Sequence, residues 1–176
     1  MKKRTTNYFI VGLLVFIFIA PGLSAYVFYN HLSWLSGPKT NKGLLLQPAV
    51  ALDSVKGNKW RILFWEPKTC SSTCLEQLDV LARVRLALGR KLYQVEQLLL
   101  VPENAVSTLP YTKELEAKDF KINSVSTEDA SRLGSQPAVF LMNPEHYLIL
   151  KYQPGVNPED VYKDLKTVLN AETKQG

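Results

Sequence analysis

An α/β domain, a central mixed sheet flanked by helices, behind a single N-terminal transmembrane helix is the architecture the sequence predicts. Three observations predict it. Tyr8 to Tyr29 runs 22 residues without a charge. The segments WRILFW (60–65), 75–92 and VEQLLLV (95–101) read in turn as buried strand, amphipathic helix and strand. Two further apolar runs, 138–142 and 147–152, are joined by Asn143-Pro144-Glu145-His146 in the manner of a hairpin.

The apolar run comes first. At about 1.5 Å of rise per residue it is long enough to cross a hydrocarbon core of roughly 30 Å. Lys2, Lys3 and Arg4 precede it, and positive residues stay on the cytoplasmic side. Residues 1–7 are therefore expected to form a cytoplasmic basic tail and residues 8–30 the anchor. Pro21-Gly22 is tolerated in a spanning helix at the cost of a kink. Tyr26, Tyr29 and Trp34 fall where an interfacial aromatic belt is expected. A cleavable signal peptide is the competing reading, with Leu23-Ser24-Ala25 as its cleavage site. The size of Leu23 and the return of apolar residues at Tyr26 favour an uncleaved anchor. Either way the rest is exported, which in a bacterium places a C-terminal domain in the periplasm, held to the inner membrane.

The 176 residues carry 21 basic and 16 acidic side chains, a formal net charge of +5. The first 38 residues hold three of the positives and no acid, which leaves 18 against 16 in the remainder. So balanced a domain has no basic stripe for nucleic acid, and that partner class is excluded. Residues 31–55 are expected to be a tether, centred on Gly37 to Gly43, and an edge segment. Pro48 within Leu44 to Val55 demotes that run from a central strand to an edge. Residues 56–176 form the exported domain, a usual length for one domain.

Within it, Pro67 ends the first buried strand, Ser71, Ser72 and Thr73 offer capping hydroxyls, and the long helix stops near Gly89. The strand-helix-strand order implies a right-handed parallel crossover. Pro102 to Thr112 reads as a loop, and 113–118 and 126–133 as short helices. Asn157-Pro158-Glu159-Asp160 opens a last helix over 160–170.

One constellation carries chemistry. The chain has two cysteines, Cys70 and Cys74, between the first buried strand and the helix that follows it. In an exported protein such a pair persists as a disulfide. A helix N-terminus lowers a thiol pKa, and the carboxyl edge of an open α/β sheet is where ligands bind. A pair so placed can exchange disulfides, hold a soft ion such as Cu(I), or form an inert staple. The loop it closes is short, so a staple adds little stability, and a chemical role is favoured.

The strand WRILFW, the CSSTC loop and helix, and Gln136-Pro137-Ala138-Val139-Phe140-Leu141-Met142-Asn143-Pro144 together resemble the thioredoxin superfamily. Within it the likeness is to the Sco-type assembly factors of cytochrome c oxidase, over about Lys56 to Leu169. The resemblance implies a thioredoxin-like fold, with Pro137 as candidate cis-proline facing the cysteines. It implies a partner among respiratory oxidase subunits or assembly factors, and copper as a candidate cofactor held by Cys70 and Cys74. It puts Gln136 where Sco-type proteins carry a histidine ligand, and an amide is a poor copper ligand. Thiol-disulfide exchange leads, with Cys70, expected nearer the surface, as attacking thiolate and Cys74 as resolving thiol. Pro137, Gln136 and Trp65 would shape the partner groove. A Cu(I) chaperone using the two thiolates and a non-catalytic anchored adaptor are the alternatives.

The remaining features read as structure. His31 lies at the membrane boundary and His146 in the hairpin turn, neither clustered with other ligands. Met142 alternates within a strand and is expected in the core. Arg83, Arg85, Arg90 and Lys91 make a basic end to the long helix, favourable to its dipole or suited to an anionic surface.

Overall fold

The computed structural model describes residues 5–30, 41–103, 105 and 111–172. Lys2 to Arg4, His31, Trp34 and the tether up to residue 40 lie outside the described residues. The chain divides into two units, residues 1–39 and 40–176.

The first unit is helix α1, Thr5–Asn30, 26 residues long, which continues through Pro21. Ser24 Oγ bonds back to Ala20 O at 2.6 Å beside the proline. Tyr8–Asn30 is the one helix among the described residues long and apolar enough to cross a membrane.

The second unit is built on six strands: β1 (Leu44–Ala51), β2 (Trp60–Trp65), β3 (Val95–Pro102), β4 (Phe120–Val125), β5 (Ala138–Met142) and β6 (Tyr147–Tyr152). Their order across the sheet is β1-β6-β5-β2-β3-β4. β2, β3 and β4 run parallel, and β5, β6 and β1 complete the sheet antiparallel. Helix α2 (Ser72–Ala87) joins β2 to β3 through a 3-10 turn, Gly89–Gln94. Helix α3 (Thr112–Ala117) precedes β4, α4 (Thr127–Leu133) follows it, and α5 (Pro158–Glu172) ends the described chain. The mixed sheet flanked by helices is the fold class expected.

β2 is central and buried at all six positions, as expected of a run that is apolar apart from Arg61. Its side chains alternate between two cores. Ile62 and Phe64 join Leu78 and Leu81 of α2 and Val161, Leu165 and Leu169 of α5, the last three at the i, i+4, i+8 spacing of one helical stripe. Leu63 and Trp65 face the other way, against Leu133 of α4, Leu52 and Val55. The α5 N-terminus carries Pro158 at its first position and acids in its first turn, and the Asn157 side chain accepts from Glu159 N at 3.0 Å.

Three elements differ from expectation. Strand β4 has no counterpart among the expected elements, because Lys121, Asn123 and Ser124 give it weak strand character; parallel pairing to β3 makes it the far edge. The long helix starts three residues before Leu75, at Ser72, and stops at Ala87, close to Gly89 as expected, where Gly89 turns left-handed (φ +59°) and the chain tightens into the 3-10 turn. The last helix starts two residues earlier than expected and runs two further, to Glu172.

Two buried charges are held by main chain. Arg61 is fully buried on β2, where Nη2 donates to Lys56 O at 2.9 Å and Nε reaches Glu96 at 3.3 Å. Gly57, at φ +125°, lies so close to this guanidinium that a Cβ there would run into Nη2. Asp164 on α5 accepts from Lys42 N, Gly43 N and the Tyr152 hydroxyl at 2.8 to 2.9 Å, clasping the start of β1 to the last helix. Burial, then the bond to Asp164, pushes the Tyr152 phenol well above its ordinary pKa, so it stays a donor.

Candidate functional site

β2 ends at Trp65, and Glu66 N donates to Leu100 O at 3.0 Å, extending the parallel ladder by one bond before Pro67 turns the chain out. The segment 66–71 thus leaves the carboxyl edge of the sheet and enters α2 at Ser72. Ser71 occupies the cap position in extended backbone, but its hydroxyl makes no capping bond. Cys70 precedes this cap and Cys74 sits in the first helical turn. The two are joined by a disulfide with their Cα atoms 5.3 Å apart.

A cavity of about 510 Å³ opens beside the disulfide. Phe64 and Glu66 line it from β2 and its exit, Cys74 and Gln77 from α2, Pro137 from the approach to β5, and Gly155 from the β6–α5 loop. Cys74 is one of its walls; Cys70 is not. Both cysteines are buried, Cys70 5% and Cys74 3% exposed, and each packs into the core beneath α2. Gln77 Oε1 accepts from Gly155 N at 2.7 Å, which fixes the amide and leaves Nε2 buried without a partner.

The other residues expected at the site divide. Pro137 lines the cavity, but the Gln136–Pro137 peptide is trans; among the described residues Gln47–Pro48 is the cis one. Pro137 leads straight into β5, whose Ala138 pairs with Trp65, and the ordinary trans bond serves that path. Gln136 is exposed and outside the cavity wall. Trp65 is not brought to the groove. Strand alternation turns it to the opposite face, where Nε1 donates to Gly134 O at 2.7 Å, and its neighbour Phe64 takes the cavity position. Met142 lies in the core, as expected.

His146 bonds Gly57 O at 2.7 Å in the β5–β6 turn. β5 enters the sheet opposite Trp65, at the cysteine end, and leaves it opposite Arg61, so this turn is at the far end from the disulfide. Among the described residues no three His, Cys, Asp or Glu side chains converge to hold a metal. The donors present do not fit a two-cysteine, one-histidine copper site. The basic end of α2 is largely paired: Arg85 with Val95 O and Asp119, Lys91 with Asn170, and Arg83 with Asp79.

Glu66, expected from its place beside the cysteines to shape access to them, does line the cavity, whereas Gln77 was not singled out from the sequence. Gln77 was legible in one respect, being three residues beyond Cys74 and so on the same side of the helix. Glu66 is 7% exposed, and its carboxylate accepts from Lys68 N at 3.2 Å. Burial raises its pKa above the ordinary carboxylate value, against the lowering effect of the Lys68 N–H and charge. A carboxyl that binds its proton more tightly folded than unfolded costs stability as pH rises from about 4.5 through its folded pKa. Glu66→Gln removes that cost and keeps the acceptor for Lys68 N. Denaturant unfolding at pH 4 and pH 7 should show the variant gaining on the wild type as pH rises; a constant difference would refute this.

A disulfide at the start of a helix, at the carboxyl edge of a mixed sheet and beside an open cavity, defines a thioredoxin-like domain with a dithiol/disulfide centre. The family model described as the transmembrane-like, thioredoxin-like, C-terminal domain matches residues 60–171, and the chain belongs to that family. Among solved structures it is similar to a peroxiredoxin-like protein from Aquifex aeolicus, at 11% identity and a TM-score of 0.52, over 74% of this chain and 89% of that one. It is also similar to a DsbF homologue from Corynebacterium diphtheriae, at 14% identity and TM-score 0.50, covering 75% and 95%. Copper-bound ScoI from Arabidopsis thaliana aligns at 16% identity and TM-score 0.49, covering 63% and 86%. At such identities likeness shows the fold alone. No curated protein matches the sequence.

Proposed function

We propose that this protein is a membrane-anchored thiol-disulfide exchange protein, with Cys70 and Cys74 cycling between disulfide and dithiol against a partner protein's cysteines. The observation that carries the reading is the disulfide itself, closed across the N-terminus of α2 at the sheet's carboxyl edge, with a cavity at one sulfur. Reduction produces a thiolate beside the first-turn N–H groups of α2, where the helix dipole and the absence of a Ser71 cap favour the charge. Pro137 would shape the partner groove.

The apolar helix Tyr8–Asn30 supports a single-pass anchor, and the basic tail supports an orientation with residues 1–7 cytoplasmic and residues 56–176 in the periplasm. The resemblance to Sco-type factors supports a role in maturing a respiratory cytochrome c oxidase, the partner being an oxidase subunit or another assembly factor. Copper carriage would use the same two sulfurs, reduced, without a histidine.

The test equilibrates the full chain, in detergent micelles, with glutathione buffers of graded redox ratio, and counts protein thiols by alkylation. A reversible transition within the range set by the buffers is expected. A disulfide unchanged at every ratio would establish an inert staple. Stoichiometric, cysteine-dependent Cu(I) binding against a competing chelator, with no exchange, would establish the copper carrier instead.

A further inference from the structure

The geometry points to Gln77 as the residue that positions a partner for exchange, its side-chain Nε2 donating to a main-chain carbonyl next to the partner's cysteine. The inference rests on the exchange reading above and adds how that site holds its substrate.

Gln77 follows Cys74 by three residues on α2, so the two side chains share one side of the helix. Both line the cavity at the disulfide. Gly155 N can only donate, so the 2.7 Å bond from it identifies the amide atom it meets as the oxygen and the other as the NH2 nitrogen. Gln77 is 9% exposed, and Nε2 has no hydrogen-bond partner among the described residues. Buried donors are nearly always paired. Gln97 Oε1 on β3 is likewise unpaired, but that residue lines no wall of this cavity. The unpaired donor of Gln77 belongs to a cavity wall beside the reacting sulfurs.

The lining selects the acceptor. Nε2 is a neutral donor, and Glu66 and Glu76 against the single base Lys68 make the cavity unfavourable to a carboxylate. A main-chain carbonyl is uncharged and recurs at every residue whatever the partner's sequence. Exchange brings the partner's cysteine within bonding distance of the Cys70–Cys74 pair. Successive Cα atoms are about 3.8 Å apart, and side chains three apart on a helix lie about 5–6 Å from one another, so a carbonyl within a residue or two of that cysteine reaches Gln77. Phe64, Val80, Pro137 and Pro154 give the cavity apolar walls, which strengthen such a bond. Gln77 moves no proton or electron. It sets the register of a peptide segment, and the substrate class is a protein dithiol rather than a small thiol.

The oxidised full chain, in micelles and mildly alkaline buffer, is reduced by an uncharged dithiol peptide capped at both ends, and separately by dithiothreitol, which has no carbonyl. The peptide dithiol becomes a disulfide as the protein disulfide becomes two thiols. Gln77→Glu keeps an acceptor for Gly155 N and, ionised, lacks the donor. It is expected to raise KM for the peptide about fivefold, with a much smaller loss of kcat/KM toward dithiothreitol. A thioamide in place of a carbonyl beside a peptide cysteine is a weaker acceptor. At one position it is expected to raise KM about threefold in the wild type and not in Gln77→Glu. A flat thioamide scan in the wild type, the same thioamide effect in both proteins, or equal losses toward peptide and dithiothreitol overturns the assignment while leaving exchange intact. Gln77→Met lacks donor and acceptor alike; a peptide KM raised there but not in Gln77→Glu would trace the effect to the Gly155 contact and likewise overturn it. A wild-type disulfide that neither reagent opens overturns the exchange reading, and this assignment with it. The wild-type scan keeps the test decisive if a variant fails to fold.

Discussion

Full-length protein carrying both Cys70→Ser and Cys74→Ser is expected to exchange no disulfide with glutathione or a dithiol peptide above the buffer rate, while keeping its fold. Loss of activity is complete because these are the two cysteines of the chain. Loss of stability is modest because the disulfide closes a loop of five residues, Cys70 to Cys74. In the chain-entropy account so short a loop restrains the unfolded chain by about 2 kcal/mol, well below a long-range bridge. Reduced wild type and the double variant should then unfold at similar denaturant concentrations, both a little below oxidised wild type. An unfolded double variant would show that the bond is a structural requirement; retained exchange would refute the assigned chemistry.

Asp164→Ala is expected to be the most destabilising of the polar substitutions, by about 3–5 kcal/mol, because three buried or half-buried donors lose one shared acceptor. Lys42 N, Gly43 N and the Tyr152 hydroxyl all point at this carboxylate. Water cannot readily replace it, since Asp164 is 3% exposed and Tyr152 4%. Asp164→Asn keeps one oxygen and turns an amide toward the other donors, so an intermediate loss is expected. Tyr152→Phe removes one bond and leaves the others. Tryptophan fluorescence during denaturant unfolding, with Trp60 and Trp65 in the core, reports all three. An Asp164→Ala variant within 1 kcal/mol of wild type, on the order of a single hydrogen bond, would show that the clasp is not what holds β1 to α5.

Much of the fold was legible because its signals are local. A run apolar apart from Arg61 marks β2, an Asn-Pro turn between two apolar runs marks the β5–β6 hairpin, and Asn-Pro followed by acids marks the start of α5. β4 was not legible. Its residues are half polar, and only the exposed backbone edge of β3 makes Phe120–Val125 a strand. Arg61 interrupts an otherwise apolar run, and Lys56 O and Glu96, from separate segments, make it tolerable there.

The site divides along the same line. The sequence alone determined the membrane-length helix, the α/β order and the place of both cysteines at a strand-to-helix turn, because each depends on neighbours within a few residues. Tertiary structure decided which face each residue serves. It gave the cavity to Phe64 and withheld it from Trp65, set Cys74 and not Cys70 in its wall, and brought Gly155 across to Gln77. It also carried His146 to the far end of the sheet from the disulfide. The physical reason is that a cavity is the space left between elements distant in sequence. Its walls are fixed by strand register and by the packing of α2 and α5 on one face, which no local pattern encodes.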